Sequence, residues 1–274
     1  MKNVALGQYY LAKSPLHKAD PRMKVILALL YIVCATFLCK NVISFALLLF
    51  SAVLLVALGR VPFKIVLGGL RPVLIIMVFT AFINVFMKRG DWLIFEWRFI
   101  HIYWEGIFDA IFMIVRIASL IIGTSMFLTY TTTPIQLTDA LEDLLSPLKR
   151  LKVPVHDAAM MMTIALRFIP TLVDETDKIM TAQKARGADF SSGGLVSRAK
   201  ALIPILIPLF LSAFRRADDL ALAMECRCYH GGEGRTRMHV LHTRFGDVLA
   251  LLIMLIFGAA LVAFNMLKIG YTMR

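Results

Sequence analysis

The sequence predicts an all-α integral membrane protein with about five transmembrane helices and a cytoplasmic domain of three helices, two of them long, inserted before the last span. Three observations predict it. The 274 residues are 59% hydrophobic with a mean hydropathy of +0.76, too apolar for a soluble domain that must cover its surface with polar groups. Five runs approach the roughly 20 apolar residues that a helix needs to cross a bilayer. Between the fourth and fifth lies a long stretch, residues 131 to 245, that alternates apolar and charged residues in helical spacing.

The opening residues, MKNVALGQYYLAKSPLHKADPRMK, mix charge and polarity without an apolar core and small-residue cleavage site, so they do not read as a cleaved signal peptide. The expected spans are residues 23 to 39, 42 to 58, 72 to 87, 106 to 130 and 246 to 267. Lysine and arginine in short loops favour the cytoplasm, and Lys13, Lys18, Arg22 and Lys24 in the N-terminal arm, with Arg60, Lys64 and Arg71 in the second loop, put the N-terminus inside. The connection DWLIFEWRFIHIYWEG carries Trp92, Phe95, Trp97, Phe99, Tyr103 and Trp104, an interfacial aromatic belt for the outer side whose period-two texture also suits a short hairpin. Three regions follow: 1–130 with an N-terminal arm and four spans, 131–245 in the cytoplasm, and 246–274 with the last span.

Within the internal region, Thr133 is placed to cap a helix that has Pro134 at its first position, with Leu141, Leu144, Leu145 and Leu148 on one face of an amphipathic surface over 135 to 148. Such a helix suits the membrane surface, the protein's own core or an apolar partner. A long helix runs from about Asp157 to Arg186, interrupted by Pro170 and ended by a Gly187 cap. Another runs from about Leu195 to Arg227, with Pro204 and Pro208 inside it. Its stretch from Ala199 to Phe214 is apolar enough for a sixth span, but Arg198, Lys200, Arg215 and Arg216 crowd its ends and favour protein packing.

Each long helix ends with an arginine, Arg186 in Ala185-Arg186-Gly187 and Arg227 in Cys226-Arg227-Cys228. A cation there complements the helix dipole by about 0.3 to 1 kcal/mol, which suffices for one arginine. Two in parallel settings point further, because a guanidinium on a rigid helix end offers a forked, permanently charged donor to a carboxylate in a partner's groove.

The segment AQKARGADF resembles the first Ala-Arg-Gly signature of the transmembrane T component of energy-coupling factor transporters, and AMECRCYHGGEGR resembles its second. TTTP (131 to 134), LTDALEDLLSPLKRLKVP (137 to 154) and ALRFIP (165 to 170) extend the likeness. The second signature departs from the family at Cys226, where alanine is usual, and Cys228, where glycine is usual. The resemblance implies a non-catalytic scaffold in a bacterial or archaeal cell membrane that needs no cofactor. It joins two ATP-binding-cassette ATPases to a small membrane-embedded substrate-binding S component and drives uptake of a vitamin or micronutrient. It implies that 131–245 is a coupling domain whose two long helices cross, with Arg186 and Arg227 docking the ATPases. The unequal signatures favour two different ATPases, and the leucine surface is a seat for the S component.

Other chemistries lack their residues. No Gly-Lys-Ser or Gly-Lys-Thr closes a glycine-rich loop, and the runs 191–194 and 231–236 read as turns after helix ends. Cys226, Cys228 and His230, followed by His239 and His242, match no common zinc spacing, and the four cysteines form no disulfide framework. Neither a His-Glu-x-x-His nor a Gly-x-Ser-x-Gly string is present. The basic residues, net charge +12, punctuate apolar segments and form no nucleic-acid patch. Inside the spans stand Asn84, Asp109 and Arg116, the last two on one helix face and best read as a packing device. Gly258, Ala259 and Ala260 permit close helix approach. A stand-alone secondary transporter, the main rival, calls for inverted repeats and intramembrane acids at the midplane, and an integral-membrane enzyme for a catalytic cluster at a span end; the sequence offers neither.

Overall fold

The computed structural model describes residues 9–10, 12, 14–87, 93–97, 100–188, 190, 194–231 and 241–266, and at 93–97, 100–102 and 195 the backbone alone. Trp92, Phe99, Lys13, His239 and most of the two glycine-rich turns lie outside these residues. In chain order the elements are α1 (Pro15–Lys18), α2 (Pro21–Val33) continued by a π-helical turn (Cys34–Leu38), α3 (Val42–Gly59) and α4 (Phe63–Met87). Then come β1 (Leu93–Trp97), β2 (Ile100–Tyr103), and α5 (Trp104–Thr124) continued by a second π-helical turn (Ser125–Thr129). The last are α6 (Pro134–Leu144), a 3-10 segment (Ser146–Leu151), α7 (Val155–Ala185), α8 (Leu195–Glu225) and α9 (Phe245–Met266). The chain divides into two compact units, one from residues 7–140 and 240–274, the other from 141–239. Among the described residues six helices are long and apolar enough to cross a membrane: the five expected spans and α8, which contains the apolar stretch 199–214.

The first unit is a helix bundle around Leu27, Ala28, Tyr31, Phe45, Leu48, Phe112, Phe127, Met254 and Leu261. Close approach is built in by small residues. A methyl group at Gly123 would overlap the Tyr31 ring, and one at Gly258 would stand 3.3 Å from the Cys34 sulfur, which is how α9 comes up against the turn that ends α2. The third span starts earlier than the expected residue 72, since α4 already begins at Phe63 and carries Pro72 inside it. Lys64 and Arg71 are therefore helix residues and not loop residues. Between α4 and α5 the aromatic connection folds as an antiparallel hairpin, with Trp97 opposite Ile100 and an irregular register near Leu93.

The positive residues before the first span are not all a solvated flank. Lys24 is 1% exposed and donates to the carbonyls of Thr131 at 2.8 Å and His17 at 3.4 Å, in a site shared with buried Asp20 and Asp247. Asp20 caps α2 through the Arg22 N–H. The Asp247 carboxylate accepts from the Asp20 N–H at 3.1 Å and from the Arg244 N–H at 2.8 Å, so it serves the starts of both α2 and α9. Buried charge is tolerated here because its partners are helix ends, carbonyls and the opposite charge.

The capping expected at Thr133 takes reciprocal form as α6 begins. Thr133 Oγ1 accepts from the Gln136 N–H at 3.3 Å, and Gln136 Oε1 accepts from the Thr133 N–H at 3.2 Å. The amphipathic surface over 135 to 148 is not one helix. Pro147 lacks the N–H that an α-helix needs, so α6 stops at Leu144 and the chain tightens into the 3-10 segment. In the second unit the long helices α7 and α8, 31 residues each, contain Pro170 in the first and Pro204 and Pro208 in the second without a break.

Candidate functional site

The two arginine signatures end their helices in the same backbone motif. At the end of α7, the Ala188 N–H reaches the Gln183 carbonyl at 3.0 Å, the Gly187 N–H reaches Lys184 at 3.0 Å, and the Arg186 N–H reaches Gln183 at 3.1 Å. At the end of α8, the Tyr229 N–H reaches Met224 at 3.0 Å, the Cys228 N–H reaches Glu225 at 2.8 Å, and the Arg227 N–H reaches Met224 at 3.1 Å. Position for position these are one paired 6→1 and 5→2 closure, which satisfies the last carbonyls and fixes the arginine just before a left-handed residue. Gly187 takes that conformation at φ 86 and Cys228 takes it at φ 54. For cysteine it is a cost of about 1 kcal/mol that glycine avoids. Cysteine thus takes this position without loss of the cap geometry.

Both arginines are exposed, and among the described residues neither guanidinium has a hydrogen-bond or ion-pair partner. Their surroundings differ. Around the end of α7 stand Lys184 and, on the first turns of α8, Arg198 and Lys200, all exposed. Arg227 has Glu225 and His230 as neighbours and borders a groove of about 490 Å³ lined by Met160, Ile164, Leu220, Met224 and Tyr229. The Tyr229 hydroxyl donates to the Met160 sulfur at 3.1 Å and closes one side of that groove.

Contacts along the pair set the spacing of the two ends. Gln183 Nε2 donates to the Pro204 carbonyl at 3.4 Å. Farther along, Glu175 accepts from the Ser212 hydroxyl at 2.7 Å and from Arg216 Nη2 at 2.6 Å, and Tyr229 meets Met160 at the other end. The helices are antiparallel, so their C-termini lie at opposite ends of the pair. From Met160 to Gln183, at 1.5 Å rise per residue, the separation is roughly 35 Å. The Ser212 hydroxyl and the Arg216 guanidinium hold the Glu175 carboxyl below its ordinary value of 4.5. Ser212 and Arg216, one turn apart on α8, and Glu175 on α7 do not stand out in the sequence.

The leucine surface is divided between elements. Leu141 at 41% exposed and the half-buried Leu144 belong to α6, while Leu145 at 43% and Leu148 at 38% belong to the turn and 3-10 segment after it. In the bundle, Asn84 Nδ2 donates to the Thr80 carbonyl at 2.9 Å on its own helix. Arg116 Nη2 donates to the Cys39 carbonyl at 2.6 Å and lies 5.1 Å over the Phe45 ring, which itself stacks on Phe112. Asp109, on the same helix, is fully buried. Among the described residues no group of three His, Cys, Asp or Glu side chains converges as a metal site, and Cys226, Cys228 and His230 follow one another along an exposed turn.

Residues 12–240 match the CbiQ family, described as cobalt transport protein. The chain is 57% identical to the energy-coupling factor transporter transmembrane protein EcfT of Ruminiclostridium cellulolyticum over 259 residues, covering 94% of this chain and 95% of that one. It is 49% identical to the protein of the same description from Clostridium kluyveri, covering 93% and 94% of the two chains. With that of Bacillus subtilis the identity is 47%, covering 95% and 98%.

Proposed function

This chain belongs to the CbiQ and EcfT family of energy-coupling factor transporter transmembrane proteins, and from that premise we propose that it is the scaffold and coupling subunit of an ATP-driven vitamin or micronutrient importer. Two ATP-binding-cassette ATPases dock on it, a small membrane-embedded S component binds substrate, and the chain itself carries no catalytic group. Residues 131–245 form a cytoplasmic coupling domain, the N-terminus is cytoplasmic, and α8 belongs to that domain although it is long enough to span.

One observation carries the reading: two exposed arginines fixed by the same backbone closure at opposite ends of one antiparallel helix pair. An arginine held by its helix end loses little further freedom when it docks, and its fork fits a carboxylate in two parallel hydrogen bonds. Two such points roughly 35 Å apart on one stiff element suit two ATPases that approach and separate as they bind and hydrolyse ATP. The contacts at Gln183, Glu175 and Tyr229 keep the helices moving together, so displacement at either end is transmitted along the pair. Ala185, Gly187, Cys226 and Cys228 serve by shaping the backbone at each arginine. Leu141, Leu144, Leu145 and Leu148 offer the S component an apolar seat, and Asn84, Asp109 and Arg116 hold the bundle rigid.

Affinity purification of the tagged chain from its native membrane in mild detergent tests this reading. Two nucleotide-binding proteins and a small hydrophobic protein are expected to co-purify, and the assembly to take up solute in liposomes only with ATP. A chain that purifies alone and moves solute without ATP contradicts it. Glutamate at Leu141 and Leu145 is expected to release the small hydrophobic protein while the nucleotide-binding proteins stay bound.

A further inference from the structure

We propose that the loop over residues 149–153 is an anchor for anionic lipid, in which Lys149, Arg150 and Lys152 engage headgroup phosphates and Leu151 and Val153 enter the interfacial layer. The three cations are exposed, and the thirteen residues between Asp143 and Asp157 that hold them include no acid. Leu151 is 76% exposed and Val153 43% exposed, so apolar tips stand between the charges at the crest of the loop.

This exposure is not that of a frayed end. His156 Nδ1 and Glu142 Oε1, 2.9 Å apart, tie the two sides of the loop together. Inside it the Leu148 N–H reaches the Leu145 carbonyl at 2.9 Å, the Lys152 N–H reaches Lys149 at 3.0 Å and the Val155 N–H reaches Val153 at 2.8 Å. Lys152 is held at φ 60, a conformation that a flexible lysine would leave. The loop is thus preorganised to present leucine and valine outward at no further ordering cost.

Anionic lipid fits this chemistry better than an acidic protein surface. A bilayer interface takes both kinds of group at once, with phosphates for the ammonium and guanidinium groups and acyl boundary for the leucine. Connectivity agrees, because the chain leaves a membrane-length helix at Thr129 and reaches Lys149 after only α6 and two short connections. The anchor rests on this segment facing the anionic cytoplasmic leaflet, and not on either arginine docking an ATPase.

The test uses the full-length chain without its partners, carrying Cys226→Ser and Cys228→Ser to remove the exposed thiols, with a nitroxide on Leu151→Cys. It is placed in nanodiscs of phosphatidylcholine with or without phosphatidylglycerol. The accessibility of the label to a water-soluble nickel chelate, relative to oxygen, is expected to fall several-fold when phosphatidylglycerol is present. High salt restores it, because at about 1 M the Debye length shrinks to about 3 Å. Lys149→Gln, Arg150→Gln and Lys152→Gln together also restore it, and the lipid comparison on the single labelled chain stands even if that variant folds poorly. A label on Val196→Cys, at a site 70% exposed, stays accessible in both discs. Equal accessibility at residue 151 in the two lipids overturns the proposal, as does protection that arises only when the ATPases or the S component are added.

Discussion

Arg186 leaves its helix beside a glycine that takes φ 86 freely, and it stands among Lys184, Arg198 and Lys200. Arg227 leaves its helix beside Cys228, held at φ 54, and it stands beside Glu225 with Tyr229 folded back on Met160 and a groove underneath. The two ends share one hydrogen-bond pattern, while the charge and shape around them differ. Presentation of an arginine is therefore a property of the helix closure, which two different sequences achieve. On the proposed docking, choice of partner would rest with the neighbouring side chains, which suits two docking surfaces that are not copies of each other.

The largest effect expected concerns the arginines themselves. Arg186→Glu and Arg227→Glu each remove one ATPase from the purified assembly, and the double variant removes both while the S component remains. Reversing one partner of a hydrogen-bonded interfacial charge pair costs about 2–5 kcal/mol, a loss of roughly 30-fold to several thousand-fold in affinity. Quantitative mass spectrometry of the purified assembly reads it. Because the α7 end is the more basic, raising the salt is expected to weaken its ATPase more than the other.

Next come the cap residues, where equivalent positions respond with opposite sign. Gly187→Val forces a branched side chain into the left-handed region and destabilises the end of α7 by about 1–2 kcal/mol. Cys228→Gly relieves strain and strengthens the end of α8 by about 0.5–1 kcal/mol. Hydrogen exchange of the last-turn amides measures both, and the same sign at both ends would refute the equivalence of the two closures.

The smallest effect lies midway between the ends. Ser212 and Arg216 hold the Glu175 carboxyl below its ordinary value, so its ion pair stabilises the helix pair above pH 4.5. That stability is lost as the pH falls through the lowered value in the folded protein. Glu175→Gln is expected to loosen the pair slightly at neutral pH, since a solvated ion pair is well screened, and to remove this part of the acid sensitivity. Distances between spin labels on α7 and α8, followed from about pH 7 down to about pH 3, report it.

Much of this was legible in the residues, because spans are read from length and hydropathy alone and caps from Thr133, Pro134 and Gly187. The start of α4 was not, since Lys64 and Arg71 read as a charged loop ahead of a span that begins at Pro72, whereas a membrane helix carries such a proline in its interior when neighbours satisfy the freed carbonyl. The end of α6 at Leu144 was hidden for a related reason: leucine periodicity runs on through Pro147, but the hydrogen-bond pattern does not. Lys24 looked like flanking charge because Asp20 and Asp247 come together beside it only in the folded bundle. At Cys228 the left-handed conformation was masked by a side chain that seldom adopts it, and the φ of 54 with the bond from Tyr229 to Met224 reveals it.

The most direct test of the two-ended docking account is photo-crosslinking in native membranes, with a photoreactive amino acid in place of Ala185 in one chain and of Cys226 in another. The account predicts that each position crosslinks to a nucleotide-binding protein, and that Arg186→Glu or Arg227→Glu abolishes the crosslink at its own end alone. Crosslinks only to lipid, or crosslinks that survive both charge reversals, would contradict it and leave the arginines as caps that stabilise their own helices.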